Sequence, residues 1–306
     1  MASPILSLAP MEGITDRSFR TLIVECNVAG SLAMATTEFV RVSQVPAKLE
    51  QLKLAIGKKA PQTKTGIQLM GNDVAILVES ARRAVDAGAD FIDYNFGCPA
   101  PRVFKNGAGS ALLARPNLIN EIVAATKKAV SVPVSAKIRA GIDHDRNVED
   151  LCKGIAGAGA DFITVHGRLK TDRYTDPADW SRISRAVESV DIPVHGNGDA
   201  VDNTSISQLL QQTGCAGVMI GRGALINPWV FEQWTSNASK RSTDDFIYWL
   251  KKYAQRMADG GATSTQVLGK LKQAAKAMGP AGNIPFSHDL LRSNNFFSDL
   301  ANLMTK

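Results

Sequence analysis

Residues 134–166, VSAKIRAGIDHDRNVEDLCKGIAGAGADFITVH, contain one complete strand–helix–strand unit. Val134–Ile138 and Phe162–His166 are short and largely apolar, which predicts two buried strands. Between them, the apolar positions of Val148–Ala158 recur at helical spacing. A connection that contains a helix joins parallel strands, so this stretch predicts a β–α–β unit.

The same unit repeats throughout the first 235 residues. The other predicted strands are Ile5–Ala9, Met34–Thr37, Gly66–Leu69, Phe91–Asn95, Pro193–His195 and Gly217–Ile220. The other predicted helices are Asp16–Cys26 (with Thr15 as N-cap), Asp73–Ala87, Asn117–Val130, Trp180–Val190 and Val201–Gln212. Eight apolar strands alternating with helices predict an α/β fold, the closed (β/α)8 TIM barrel. An open doubly wound sheet is the alternative, but the first turn, Ala9–Gly13, lacks the dinucleotide fingerprint.

Strand signals stop beyond Phe231. Three helices are predicted there, separated by glycine-rich breaks: Asp244–Ala258, Thr265–Met278 and Ser287–Met304. We therefore predict a catalytic barrel domain over residues 1–239 and a small C-terminal helical-bundle domain over residues 240–306.

The composition, with 44% apolar and 21% charged residues in a chain of 306, excludes a disordered or collagen-like protein. No membrane-spanning stretch and no signal peptide is evident in the sequence, so we expect a cytoplasmic protein without a membrane partner. The cysteines are scattered and form no Cys-x-x-Cys pair, which argues against a metal, an iron–sulfur cluster or a disulfide framework. We expect a monomer.

Nearly all of the net charge of +6 lies in the C-terminal segment. Residues 240–306 contain ten basic and five acidic residues, whereas residues 1–239 contain 25 and 24. Clustered basic residues are typical of nucleic-acid binding, and we predict that Lys270, Lys272 and Lys276 share one helix face toward RNA. A solvated helical surface would carry the same charge, and charge alone leaves both interpretations open.

The carboxyl ends of the predicted strands are all polar or glycine-rich, and this end of a TIM barrel holds the active site. The residues concerned are Pro10, Met11, Glu12, Glu38, Arg41, Gln68, Asn95–Cys98, Lys137, Arg139, His166, Asn197–Asp199 and Gly221–Gly223. The last two loops predict a phosphate site, because glycines allow close approach of backbone N–H groups and Arg222 adds a cation. Tight turns between strand and helix are the alternative.

Cys98 precedes a proline on a glycine-flanked loop after the fourth strand, which suggests a reactive thiol rather than a core cysteine. An ordinary thiol is mostly protonated at neutral pH and suits proton donation as well as nucleophilic attack. A neighbouring Lys137 or His166 would favour the thiolate, so both roles remain open.

Several of these segments together resemble the tRNA-dihydrouridine synthases. They are Ala9–Gly13, Asn95–Pro99, Asn106–Leu113, Lys137–Arg139, Val165–Arg168, Asn197–Asp199 and Gly221–Gly223. The resemblance runs from residue 4 to about residue 231, and the basic tail corresponds to the family's RNA-binding domain. Thr37–Val42 is most similar to the subgroup that acts on uridine 16 of the tRNA D-loop, whereas His195 stands where a small residue is usual.

The resemblance implies an enzyme that reduces the C5=C6 bond of a tRNA uridine with FMN as cofactor and NADPH, or NADH, as reductant. It implies hydride delivery to C6 and proton donation to C5 by Cys98. Pro10, Met11, Glu12, Gln68, Lys137, His166, Asn197, Gly198, Asp199, Gly221 and Arg222 fall at cofactor positions, and Arg41, Asn95 and Arg139 fall at substrate positions.

Two other functions are compatible with parts of the chain. A small-molecule FMN enzyme, such as an orotate or pyrimidine dehydrogenase, would account for the barrel but not for the basic tail. A non-catalytic RNA-binding barrel would account for the tail but not for Cys98, Lys137 and His166.

Overall fold

A computed structural model of the chain describes residues 3–284 and residue 292. In this part of the chain, eight parallel strands close into a barrel, because β1 pairs with both β2 and β9 and β2 also pairs with β4. The barrel strands are β1 (Ile5–Leu8), β2 (Met34–Thr36), β4 (Lys64–Met70), β5 (Phe91–Phe96), β6 (Val134–Arg139), β7 (Phe162–His166), β8 (Val194–Asn197) and β9 (Gly217–Ile220). The predicted TIM barrel is thus confirmed. A two-residue strand that was not predicted, β3 (Val40–Arg41), pairs with the end of β4.

Helices surround the barrel and continue past it. They are α1 (Arg17–Cys26), α2 (Leu49–Ile56), α3 (Val74–Asp86), α4 (Pro101–Lys105), α5 (Pro116–Ala129), α6 (Val148–Gly157), α7 (Ser181–Ser189), α8 (Asn203–Thr213), α9 (Arg222–Ile226), α10 (Val230–Ser236), α11 (Thr243–Asp259) and α12 (Ser264–Met278). Gly109–Ala114 forms a 3-10 helix between α4 and α5. Among the helices of residues 3–284, none is long and apolar enough to cross a membrane.

The first helix begins one residue later than predicted, and Thr15 is not its cap. Asp16 is the N-cap, and its carboxylate accepts a 2.9 Å hydrogen bond from the N–H of Phe19. The Thr15 hydroxyl instead accepts a 2.7 Å bond from the N–H of Met11. Thr15 therefore closes the loop after β1, which shapes the mouth of the barrel.

Three rings fill the bottom of the barrel. Phe162 lies between Phe91, at a centroid distance of 5.9 Å, and His195, at 4.9 Å. Gly66 and Gly217 make the space, because a Cβ on Gly66 would lie 2.2 Å from the Phe91 ring and one on Gly217 would lie 3.1 Å from the His195 ring. His195 is thus buried inside the barrel, at the end opposite the loops that lead from the strands into the helices.

The helices after the barrel pack directly on it. On α11, Trp249 and Tyr253 make edge contacts with Phe19 of α1, at centroid distances of 5.6 and 5.8 Å. The Tyr253 hydroxyl donates a 3.0 Å hydrogen bond to Asp16. Buried residues of α11 and α12 belong to the same hydrophobic cluster as the barrel. The predicted helix Ser287–Met304 lies outside the described residues, apart from residue 292.

Candidate active site

A cleft opens at the carboxyl ends of the barrel strands, with about 550 Å³ of space including its mouth. Its lining includes Pro10, Met11, Lys137, His166, Asn197, Gly198, Asp199, Gly221 and Arg222, all of them predicted cofactor residues. Arg168 and Tyr174, which the sequence does not single out as site residues, line it as well. Ligands of TIM-barrel proteins bind at this end, so the cleft is the candidate active site.

Lys137 presents a fixed cation inside the barrel. Its Nζ donates a 2.9 Å hydrogen bond to Asn197 Oδ1, and Asn197 Nδ2 donates at 2.7 Å to the carbonyl of Met219. Burial, together with the neighbouring Arg139 charge, lowers the pKa of Lys137 to about 8. The ammonium group therefore stays mostly charged at neutral pH while its position is set by Asn197.

His166 is neutral. Burial, followed by the charges of Lys137, Arg139 and other nearby cations, holds its pKa well below the ordinary histidine value. Its Nε2 lies 3.3 Å from Arg168 Nη1, and because a guanidinium can only donate, Nε2 accepts. The ring proton is thereby assigned to Nδ1, which makes His166 a neutral donor at the cleft.

Asp199, in the loop after β8, binds two arginines: Arg168 in the loop after β7 and Arg222 directly after β9. Both of its oxygens lie 2.7 Å from Arg168 Nη2, and Oδ1 also lies 2.6 Å from Arg222 Nη2. Burial opposes ionisation, but the hydrogen bonds from Arg168 and from the N–H of Ala178 keep the pKa of Asp199 below its usual range. Arg168 is fully buried, whereas Arg222 is the exposed partner that a ligand can reach.

Gly198, in the loop after β8, occupies a position where only glycine fits without strain. Gly198 has a φ of 119°, a region that L side chains rarely adopt. A Cβ there would lie 2.8 Å from the Cβ of Ala178 and 2.9 Å from the ring of His166. The turn after β8 and its close packing against Ala178 and His166 therefore both require glycine, whereas the predicted approach to a phosphate stays a prediction.

The loop that carries Cys98 is held on both sides. Asn95 Oδ1 accepts the N–H groups of Gly97, at 3.1 Å, and Cys98, at 2.8 Å. The carbonyl of Cys98 accepts the N–H and the hydroxyl of Ser110, at 3.1 and 2.8 Å. Burial raises the pKa of the Cys98 thiol, despite the nearby charge of Arg139. The thiol therefore carries its proton at neutral pH, as an acid catalyst requires.

A buried carboxylate that the sequence does not single out lies beneath this loop. Asp93 is 1% exposed and accepts hydrogen bonds from Gln68 Nε2, at 2.6 Å, and Ser135 Oγ, at 2.7 Å. Burial raises its pKa to about 6. Asp93 and Asn95 alternate on β5 and so face the same side, and this period of two was the signal that could have found Asp93.

Three further predicted residues lie at or outside the rim of the cleft. Arg139 is buried, donates a 2.5 Å hydrogen bond to the carbonyl of Leu169, and lies 5.4 Å from the Tyr174 ring centroid. Arg41 is exposed on β3, beside the end of β4. Glu12 is exposed on the first loop and is not among the residues that line the cleft.

The three tail lysines do not share one helix face, contrary to prediction. Lys270 turns back to the barrel, where Nζ donates a 2.8 Å hydrogen bond to the Gly13 carbonyl and lies 2.9 Å from Asp16. Lys272 and Lys276 are four residues apart and share a face of α12. Two residues of α-helix turn by about 200°, which separates Lys270 from Lys272.

Comparison with known proteins identifies the family. A sequence model described as dihydrouridine synthase (Dus) matches residues 7–281. The chain belongs to the dihydrouridine synthase family. It is 39% identical over 230 residues to tRNA-dihydrouridine synthase B of Pseudomonas aeruginosa, covering 74% of this chain and 68% of that protein. It is 35% identical over 261 residues to tRNA-dihydrouridine(16) synthase of Shewanella oneidensis, covering 83% and 82%.

A solved structure with the same fold is histamine dehydrogenase from Rhizobium sp. 4-9, with a TM-score of 0.61 at 13% identity. The match covers 82% of this chain and about half (48%) of that structure. At this identity the likeness concerns the barrel fold alone.

Members of the dihydrouridine synthase family are flavin-dependent oxidoreductases, and so is this protein. The cleft suits a flavin. Lys137 and neutral His166 offer donors at its base, and Arg222 with Gly198 offers a cation and a close backbone approach at its edge. Within the described residues, no group of three His, Cys, Asp or Glu side chains could hold a metal ion.

Proposed function

We propose that this protein is a tRNA-dihydrouridine synthase that reduces the C5=C6 bond of a D-loop uridine, with FMN as resident cofactor and NADPH as reductant. The observation that carries the proposal is the position of Cys98 on a loop at the barrel mouth, where Asn95 accepts its N–H, Ser110 donates to its carbonyl, and burial raises the pKa of the thiol. The names of the curated relatives support the substrate class.

FMN, when bound, supplies the hydride that adds to C6 of the uracil. Lys137 and the Nδ1–H of His166 would face the flavin ring and stabilise the negative charge of its reduced form. Arg222 and the backbone of Gly198 and Gly221 would hold the phosphate.

Cys98 would donate the proton. Addition of hydride to C6 leaves an electron pair at C5, which takes the proton from the thiol. The resulting thiolate recovers its proton from solvent, because its raised pKa favours the protonated form. One hydride and one proton convert the C5=C6 double bond to a single bond, and the protein ends as it began.

The tail would bind tRNA through phosphates, with the half-buried Lys272 and the exposed Lys276 on one face of α12 and Lys270 beside the first barrel loop. A stacked uracil cannot reach the bottom of the cleft, so the base must be flipped out of the RNA. Uridine 16 is the proposed target. The match to the Shewanella tRNA-dihydrouridine(16) synthase, which covers 83% of this chain, supports it.

The test is reconstitution. The purified protein should contain noncovalent FMN, be bleached by NADPH, and convert uridine 16 to dihydrouridine in an unmodified tRNA transcript, as mapped by mass spectrometry. A flavin-loaded, NADPH-reducible protein that modifies no tRNA but reduces a free pyrimidine would contradict the proposal. Modification at another D-loop uridine would contradict only the position.

A further inference from the structure

A chain of hydrogen bonds links the buried carboxylate of Asp93 to the backbone of Cys98. Gln68 Nε2 donates to Asp93 at 2.6 Å, and Asn95 Nδ2 donates to Gln68 Oε1 at 2.8 Å. Asn95 Oδ1 then accepts the N–H groups of Gly97 and Cys98. We call Asp93, Gln68 and Asn95 the amide relay.

The direction of every bond in the amide relay is fixed from both ends. An ionised carboxylate only accepts, so Asp93 requires the NH₂ of Gln68 and turns the oxygen of Gln68 toward Asn95. A backbone N–H only donates, so Cys98 requires the oxygen of Asn95. A reversed Gln68 would place its NH₂ against that of Asn95 and its oxygen against the Asp93 carboxylate, which is costly because Gln68 is fully buried.

Stability of the barrel does not account for Asp93. A carboxylate buried in the middle of a parallel strand is costly, and an apolar side chain at such a site often gives an equally or more stable protein. Asp93 is 1% exposed, and its register partners are Gln68 on β4 and Ser135 on β6. The carboxylate adds two things that an apolar side chain would not: a negative charge near Lys137 and the fixed orientation of Gln68.

We propose that Asp93 is a positioning residue for Cys98: through Gln68 and Asn95 it holds the Cys98 loop where the thiol can protonate the substrate. The inference rests on the proposed function, in which Cys98 is the proton donor. Asp93 transfers no proton itself; it acts on Cys98 through the two amides, and its charge also raises the pKa of the neighbouring Lys137.

The test compares Asp93→Leu with the matched control Ser135→Ala. Ser135 donates to Oδ1 of the same carboxylate, so its loss removes a hydrogen bond from Asp93 without touching the amide relay. Three rates are measured on flavin-loaded protein. They are flavin bleaching by NADPH, single-turnover dihydrouridine formation by the pre-reduced enzyme on unmodified tRNA, and alkylation of the Cys98 thiol by iodoacetamide.

Asp93→Leu should slow dihydrouridine formation by about tenfold or more and change the alkylation rate several-fold, because a small misplacement of a reacting group is costly. Bleaching should fall much less than dihydrouridine formation in the same variant, because flavin reduction does not need the Cys98 loop even though the charge beside Lys137 is lost. Ser135→Ala should match the parent in all three rates. Asp93→Asn should keep most of the rate, because its oxygen can accept from Gln68 while its NH₂ donates to Ser135.

Two results would overturn the inference. One is an Asp93→Leu protein that equals Ser135→Ala in dihydrouridine formation and alkylation. The other is parallel loss of bleaching and flavin, which would make Asp93 a core residue only. Alkylation needs no RNA, so it decides the role of the amide relay even if the wild type forms no dihydrouridine and the proposed function fails.

A second pair of variants covers an Asp93→Leu protein that does not fold. Gln68→Glu sets two carboxylates face to face, whereas Asp93→Asn combined with Gln68→Glu lets the new amide donate to the new carboxylate. The Cys98 alkylation rate should shift in the single variant and recover in the double variant. Failure to recover would overturn the inference.

Discussion

Arg222 Nη2 lies 2.6 Å from Asp199 Oδ1. The exposed arginine of the β9 loop is therefore already held in position by a carboxylate. Asp199 also binds the buried Arg168, and two guanidinium groups therefore share one negative charge. This arrangement leaves a positive excess at the loops where TIM barrels commonly bind phosphate. Arg222 is pre-positioned without being neutralised.

Arg222→Ala should weaken FMN binding by about 1.5–3 kcal/mol, the usual range for a hydrogen bond to a charged group. The dissociation constant is measured by titrating apoprotein with FMN and following flavin fluorescence. Arg82→Ala, which removes an exposed arginine of α3, is the control and should bind FMN as the parent does. Equal affinity in the Arg222→Ala protein would assign the phosphate to another part of the cleft.

Cys98→Ala should leave FMN binding and bleaching by NADPH near normal, because neither needs a thiol. Dihydrouridine formation should slow by about 10²–10⁴-fold, which is typical of a lost general acid. Cys98→Ser should recover little, since a hydroxyl is a far weaker acid than a thiol. Single-turnover kinetics with pre-reduced enzyme measure the step, and Cys26→Ala is the control. Full activity of the Cys98→Ala protein would show that Cys98 has no catalytic role.

The barrel was predictable because its signal is local. Strands buried on both faces are apolar runs, and in the helices between them apolar residues recur with a period of 3.6. All eight barrel strands could therefore be located within one or two residues of their ends. The strand β3 and the helices α2, α4, α9 and α10 were missed. Two residues such as Val40–Arg41 are too short for any periodicity, and Leu49–Ile56 spans little more than two turns.

The candidate site was predictable only in part. Strand ends in a barrel converge, so Lys137, His166 and Asn197 could be grouped from the sequence. Tyr174 could not, because it reaches the cleft from within the long connection between β7 and α7, where no periodicity fixes its place. The prediction that the three tail lysines share one face was wrong for a geometric reason. Lys270 and Lys272 are two residues apart on a helix and so point in different directions.

Lys276→Ala combined with Lys272→Ala should weaken tRNA binding and reduce its salt dependence by about one unit of slope for each lost phosphate contact. Bleaching of the flavin by NADPH should be unchanged. Lys270→Ala is the informative comparison, because Lys270 is tied to Asp16 and should affect stability as well as RNA binding. Affinity is measured by filter binding at several salt concentrations. Loss of bleaching in the double variant would mean that these lysines support the fold.

The buried His195 should make the protein sensitive to acid. Burial lowers its pKa to about 4 in the folded protein, so between pH 6.5 and 4 the unfolded chain binds a proton that the folded one does not. Stability should therefore fall over this range, by about 3 kcal/mol at its lower end. In urea unfolding from pH 7 to 4.5, His195→Phe should lose less stability than the parent, whereas the exposed control His144→Gln should follow the parent. Parallel curves for His195→Phe and the parent would show that His195 keeps its ordinary pKa.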